Sequence, residues 1–124
     1  MHAINWFEIP VNNFEKAKKF YDTVIGVEIR DEMFNHLRMG VFPTDNTSQT
    51  TVSGAIVKGE HYEPSDKGSL VYLNGGEDLQ VMLARVESAG GKVIVPKMHI
   101  GEKAGYMAVF QDTEGNHVAL HSWN

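Results

Sequence analysis

One order of elements, strand, helix, glycine stop and further strands, occurs twice along this chain. No other feature limits the available folds as much. In the first pass, Ile4 to Val11 alternates as a strand does, with Phe7, Ile9 and Val11 on one face and Trp6, Glu8 and Pro10 on the other. Pro10 places this end at a sheet edge or strand terminus. Asn12 suits a helix N-cap, and Glu15 three residues later completes a capping-box pattern. Phe14, Ala17, Phe20, Tyr21 and Val24 then form an apolar stripe at helical spacing, and Gly26 supplies a left-handed stop. Strands are expected over 27–34, 36–42 and 52–57, with a polar loop from Pro43 to Thr51. The stretch 59–68 carries Pro64, Asp66 and a glycine at each end, so it reads as a linker.

The second pass begins with a strand over 70–74 and a helix over about 78–89, striped with Leu79, Met82, Leu83 and Val86. Gly90 and Gly91 stop that helix, and strands follow over 92–96, 106–111 and 117–122. Gly26 and Gly90 stand 64 positions apart in a chain of 124, close to half its length, so an internal duplication is the simplest account. The fold class is α+β: a single domain of two tandem βαβββ modules, the first about 1–58 and the second about 69–124. One helix and four strands make too small a core to stand alone. The halves are therefore expected to pack together, or to exchange across a dimer.

The closing hairpin shows how such strands present side chains. Asp112-Thr113-Glu114-Gly115-Asn116 separates two apolar runs. Asp bonds its own backbone and Gly accepts positive φ, so this is turn chemistry. On the exit strand Val118 and Leu120 face one way, and His117, Ala119 and His121 face the other. The first set is core; the second is positioned to line a cavity.

Composition excludes several classes. Eleven basic residues against sixteen acidic give a net charge of −5, with no basic cluster to bind nucleic acid or an anionic membrane. With no cysteine there is neither disulfide nor thiolate chemistry, which fits a reducing compartment. No leader, long apolar run or lipidation motif is present, so a cytoplasmic location is expected.

Asn5 to Val11, Ala17 with Phe20-Tyr21, and Val24-Ile25-Gly26 resemble motifs of the vicinal oxygen chelate superfamily. So do Val86 to Gly91 and Asp112 to Asn116. That superfamily includes glyoxalase I, bleomycin-resistance proteins and extradiol dioxygenases. The resemblance covers essentially the whole chain in order. It implies paired βαβββ modules whose curved mixed sheets enclose a cavity, and frequent dimerisation. In metal-dependent members it implies a divalent ion held by His, Glu or Gln from four strands. Matched to that pattern, the first-strand ligand position is Trp6 and the last is Ala119. The position opening the second module is Ser69 or Leu70, and Ser53 to Val57 offers no carboxylate or imidazole. Indole and alkyl side chains donate no electron pair to a metal, so no metal and no cofactor are expected.

By parity, Glu8 and His121 share the faces where the metal would stand, and are expected within a hydrogen bond or one water of each other. Such a pair is either a structural ion pair or an acid–base pair. Trp6, Tyr72 and Ala119 are candidate ligand contacts, with core packing as the alternative for the aromatics. His99 lies in 97–103, read as a loop between strands that either covers the cavity mouth or is plain surface. His117 is expected to be solvated or locally bonded, and His2, His36 and His61 have no joint spacing. Three functions remain: a metal-independent binding module for a small organic molecule, an isomerase or lyase working through Glu8 and His121, and a metal-dependent lyase or dioxygenase, which the lost ligands disfavour. A homodimer is the expected assembly.

Overall fold

The computed structural model describes residues 2–45 and 51–124. Of the expected polar loop, positions 46–50 lie outside the described residues. The first module comprises β1 (Trp6–Pro10), α1 (Phe14–Ile25), β2 (Arg30–Phe34), β3 (Leu37–Val41) and β4 (Ser53–Lys58). The second comprises β5 (Tyr72–Asn74), α2 (Gln80–Leu83), β6 (Lys92–Gly101), β7 (Gly105–Gln111) and β8 (His117–Ser122). Each builds a four-stranded mixed sheet in the same spatial order, β1-β4-β3-β2 and β5-β8-β7-β6. In each, the outer strand runs parallel to the last strand of its module and the remaining pairs are antiparallel. The duplication is visible in the register. Strand β4 spans 53–58 and β8 spans 117–122, while Glu8 pairs with Ala55 as Tyr72 pairs with Ala119, every position displaced by 64.

The periodicities place the core as expected. Ile9, Val11 and Ile56 from the first sheet meet Phe14, Ala17, Phe20, Tyr21 and Val24 of α1. Leu79, Leu83 and Val86 join them with Ala108, Phe110, Val118 and Leu120 from the second module, so one core spans both. Phe20 sits edge-on to Tyr21 at 4.9 Å and 5.7 Å from Phe110, which ties α1 to the second sheet. Gly91 permits that approach: a Cβ there would lie 2.6 Å from the Phe20 ring and from the Gln111 carbonyl. Gly26 ends α1 at φ 84°, its N–H returning to the Asp22 carbonyl.

Three local expectations are corrected. The α1 N-cap is Asn13, whose side chain accepts from Lys16 N. The Val11 N–H still pairs with Val57, so the strand ladder runs one residue further and Asn12 cannot cap. Glu15, freed from a capping box, reaches Arg38 at 2.7 Å. The second helix keeps its stripe but only 80–83 is α-helical. Beyond it, Arg85, Val86 and Gly90 donate three residues back, giving tighter turns up to the glycines. The 97–103 segment is not a free loop, because β6 continues through it to Gly101 and turns directly into β7. Irregular register between Val95 and Met98 accommodates Pro96, which has no N–H to give the ladder. Among the described residues, no helix is long and apolar enough to cross a membrane.

Candidate functional site

The two modules are joined by the turn that the hairpin sequence announced. Asp112 Oδ1 accepts from the backbone N–H groups of Glu114 at 2.8 Å and Asn116 at 2.9 Å. Its Oδ2 accepts from Asn116 Nδ2 at 3.0 Å and from the Tyr21 hydroxyl at 2.7 Å. Burial, and then the Asp112 carboxylate, push the pKa of Tyr21 well above its ordinary value. Asn116 continues the network outward: Nδ2 donates to the Pro10 carbonyl at 2.8 Å, and Oδ1 accepts from Ser65 N at 2.9 Å. Glu114 accepts from the backbone N–H groups of Asn12 and Asn13, placing a carboxylate at the start of α1. This turn therefore holds first strand, helix and linker together, and its role is structural.

That junction leaves cavities between the modules, and the second module carries another of its own. One of about 620 Å³ lies where the beginnings of β1 and β4 face β5. Phe7 and Phe42, 5.6 Å apart, form one wall, and Tyr72, Leu73 and Met82 form the other. Ser53 and Ser69 are among its few polar contributors. A second cavity of about 460 Å³ shares Tyr72, Leu73 and Asn74 with the first, and adds His121, Ser122 and Trp123. A third, about 160 Å³, holds Glu8, Pro10 and His117.

The predicted site residues divide among these places. Tyr72 is 51% exposed and lines both larger cavities. Trp6 is 43% exposed at the start of β1, where its Nε1–H donates to Glu8 Oε2 at 3.2 Å, and it lines none of the three. Ala119 is fully buried, which removes it as a ligand contact in this arrangement. No hydrogen bond or ion pair joins Glu8 and His121, and the two line different cavities. Glu8 Oε1 accepts from the Tyr62 hydroxyl at 2.6 Å, a bond that, ahead of burial, raises the Tyr62 pKa. His121 Nε2 lies 2.6 Å from the Ala104 carbonyl. Strand parity was right, but β8 pairs with β5 and β7 in the other sheet. It is the start of β8, through Asn116 and His117, that meets Glu8 and Pro10.

Sequence reasoning missed Tyr62 and the Phe7–Phe42 wall. Tyr62 comes from the linker, where no periodicity marks a buried residue. It packs with Leu37 and Met39 against Val41, Ala55 and Val57, covering that face of the first sheet. Phe7 and Phe42 carry ordinary core parity, and only the gap between modules turns them into a cavity wall. Trp123 follows His121 by two and was legible by the same alternation. By the 64-residue displacement Leu70 corresponds to Trp6 and Ala55 to Ala119, the positions that the resemblance matches to metal ligands. None of these four side chains offers a lone pair to a divalent ion; the Trp6 N–H is a donor only, so they do not fit one. Among the described residues, no three His, Asp or Glu side chains cluster as such a site requires.

Two mixed sheets in the same strand order, displaced by one module length and enclosing cavities between them, define a paired-βαβββ protein. The model of the Glyoxalase/Bleomycin resistance protein/Dioxygenase superfamily matches residues 3–120, and the chain belongs to that superfamily. A glyoxylase-like domain-containing protein of Didymella fabae is 29% identical over 122 residues, covering 94% of this chain and 91% of that one. Among solved structures, TnmS3, an antibiotic binding protein from Streptomyces sp. CB03234, superposes with a TM-score of 0.65 at 24% identity. That match covers 98% of this chain and 96% of the other. A glyoxalase I mutant from Zea mays gives a TM-score of 0.69 at 16% identity, covering 95% of this chain, which spans only 45% of the maize chain.

Proposed function

We propose that this protein binds a small, largely apolar organic molecule in the cavity between its modules, without a metal at the four superfamily positions. The observation that carries this reading is the 620 Å³ cavity, walled by aromatic and aliphatic side chains from both modules. Its size and lining suit a ligand of drug-like dimensions. The antibiotic-binding description of TnmS3 supports the same use of the fold. An acid–base enzyme built on Glu8 and His121 is not favoured, since each is engaged with a different partner. The reading also includes a cytoplasmic setting, consistent with a chain without cysteine, and a homodimer. Trp6 and Phe34 are exposed on the face of the first sheet turned away from α1, and a second copy would cover them.

The test is calorimetric titration with flat polycyclic probes such as anthraquinone, in the wild type and in Met82→Trp, which fills the cavity from α2. One saturable site per chain is expected, weakened about tenfold or more in the variant, because the larger ring occupies the ligand's volume. No saturable binding to any probe, or unchanged binding in Met82→Trp, would overturn the reading. Zinc or manganese added to metal-stripped protein should leave its melting temperature unchanged, since a bound ion would raise it by mass action.

A further inference from the structure

We propose that the second cavity, at the C-terminal end of β8, is a separate subsite for a flat aromatic ring bearing a hydroxyl group. His121 Nδ1 accepts the hydroxyl's proton and Asn74 donates to its oxygen. The argument starts from the tautomer of His121. The Ala104 carbonyl, 2.6 Å from Nε2, can only accept, so in the neutral ring Nε2 carries the hydrogen and Nδ1 keeps the lone pair. Nδ1 has no hydrogen-bond partner among the described residues. It is not sealed either: the buried side-chain polar atom left without a partner among them is Thr113 Oγ1. His121 lines the 460 Å³ cavity, so a residue with an unused acceptor borders it.

A donor stands beside it. Asn74 and His121 are register partners across β5 and β8, so their side chains share one face. Asn74 Oδ1 is taken by the Gly76 N–H at 2.9 Å, which leaves its amide hydrogens to offer. Acceptor and donor side by side match a hydroxyl, which gives one hydrogen and receives another. Two of the remaining lining residues, Tyr72 and Trp123, are aromatic. Trp123 is 65% exposed and stands edge-to-face with the His121 ring at 4.8 Å, and half-exposed Tyr72 also lines the cavity. Exposed rings beside a polar pair suit a planar aromatic with a polar edge, in contrast to the plainly apolar larger cavity. This proposal does not require the larger cavity to be occupied.

The probes are β-naphthol and its methyl ether, titrated into the full chain. β-Naphthol should bind about tenfold more tightly, as one added hydrogen bond in a partly buried site implies. His121→Phe should bring the two probes to equal affinity, and Trp123→Ala, which removes an exposed wall, should weaken both together. The preference should survive in Met82→Trp, which separates this subsite from the larger cavity. Long-range proton–nitrogen NMR of the free protein should show the Nε2–H tautomer, with the Nδ1 resonance moving on addition of β-naphthol. Equal affinities in the wild type, a preference retained in His121→Phe, or an Nδ1–H tautomer would each overturn the proposal. If His121→Phe does not fold, the wild-type tautomer and the Nδ1 shift decide the question.

Discussion

Tyr21 and Asp112 show how much a single buried contact organises here. The Tyr21 ring was readable from its place in the helical stripe; its hydroxyl partner, 91 residues away, was not, because periodicity reports a face and not what lies across it. Tyr21→Phe should cost about 2 kcal/mol in urea unfolding, since the lost bond was made to a charged acceptor in a buried site. The contact also predicts a pH dependence. Because folding raises the Tyr21 pKa above its ordinary 10.0, the folded state holds that proton more tightly. The associated stability is complete below pH 10.0 and is lost as pH rises towards the folded-state value. Unfolding free energy should therefore fall on the alkaline side in the wild type, less steeply in Tyr21→Phe. Parallel alkaline profiles would remove Tyr21 as the cause. Glu8 gives the matching lesson: alternation assigned its face, yet its partner Tyr62 came from a linker that no alternation describes.

At the scale of elements, most existence and order was legible, because apolar stripes and glycine stops are local signals. Lengths were less so. The second helix shortened to 80–83 and β6 lengthened to Gly101, because tight turns satisfied the first and antiparallel pairing with β7 extended the second. The start of α1 was misplaced by one residue for a non-local reason, namely that the strand ladder to Val57 continues through Val11; Glu114 then accepts from the Asn12 and Asn13 amides. Glu114→Ala should destabilise the protein by about 1 kcal/mol, in the range of losing a cap and a charge at a helix N-terminus. Amide exchange should quicken first at Asn12 and Asn13. Unchanged protection at those two amides would mean that water serves them equally well.

For the whole molecule, the 64-residue displacement was readable in full from two glycines, and the strand register repeats it. What lay beyond reach was the relation between the modules, since nothing local states which edge of one sheet faces the other. The cavity residues Phe7 and Phe42 belong to that relation. The proposed homodimer is also a statement at this scale. Sedimentation at micromolar concentration should give twice the chain mass, and Trp6→Ser with Phe34→Ser should shift the protein towards monomer. A wild-type monomer would instead leave those exposed faces to a different occupant.

The contacts of Glu114 with Asn12 and Asn13 span 102 and 101 positions, almost the full length of the chain. During synthesis the first helix therefore leaves the ribosome long before the turn that tethers its beginning. Until the last hairpin emerges, Tyr21 lacks its Asp112 partner and the start of α1 lacks the Glu114 tether, leaving the Asn13 cap and the Glu15–Arg38 pair. A nascent chain arrested at Gln111 should accordingly remain open to proteases along that helix. Release of a dozen further residues should close it, which makes emergence of the β7–β8 hairpin the commitment step for both halves.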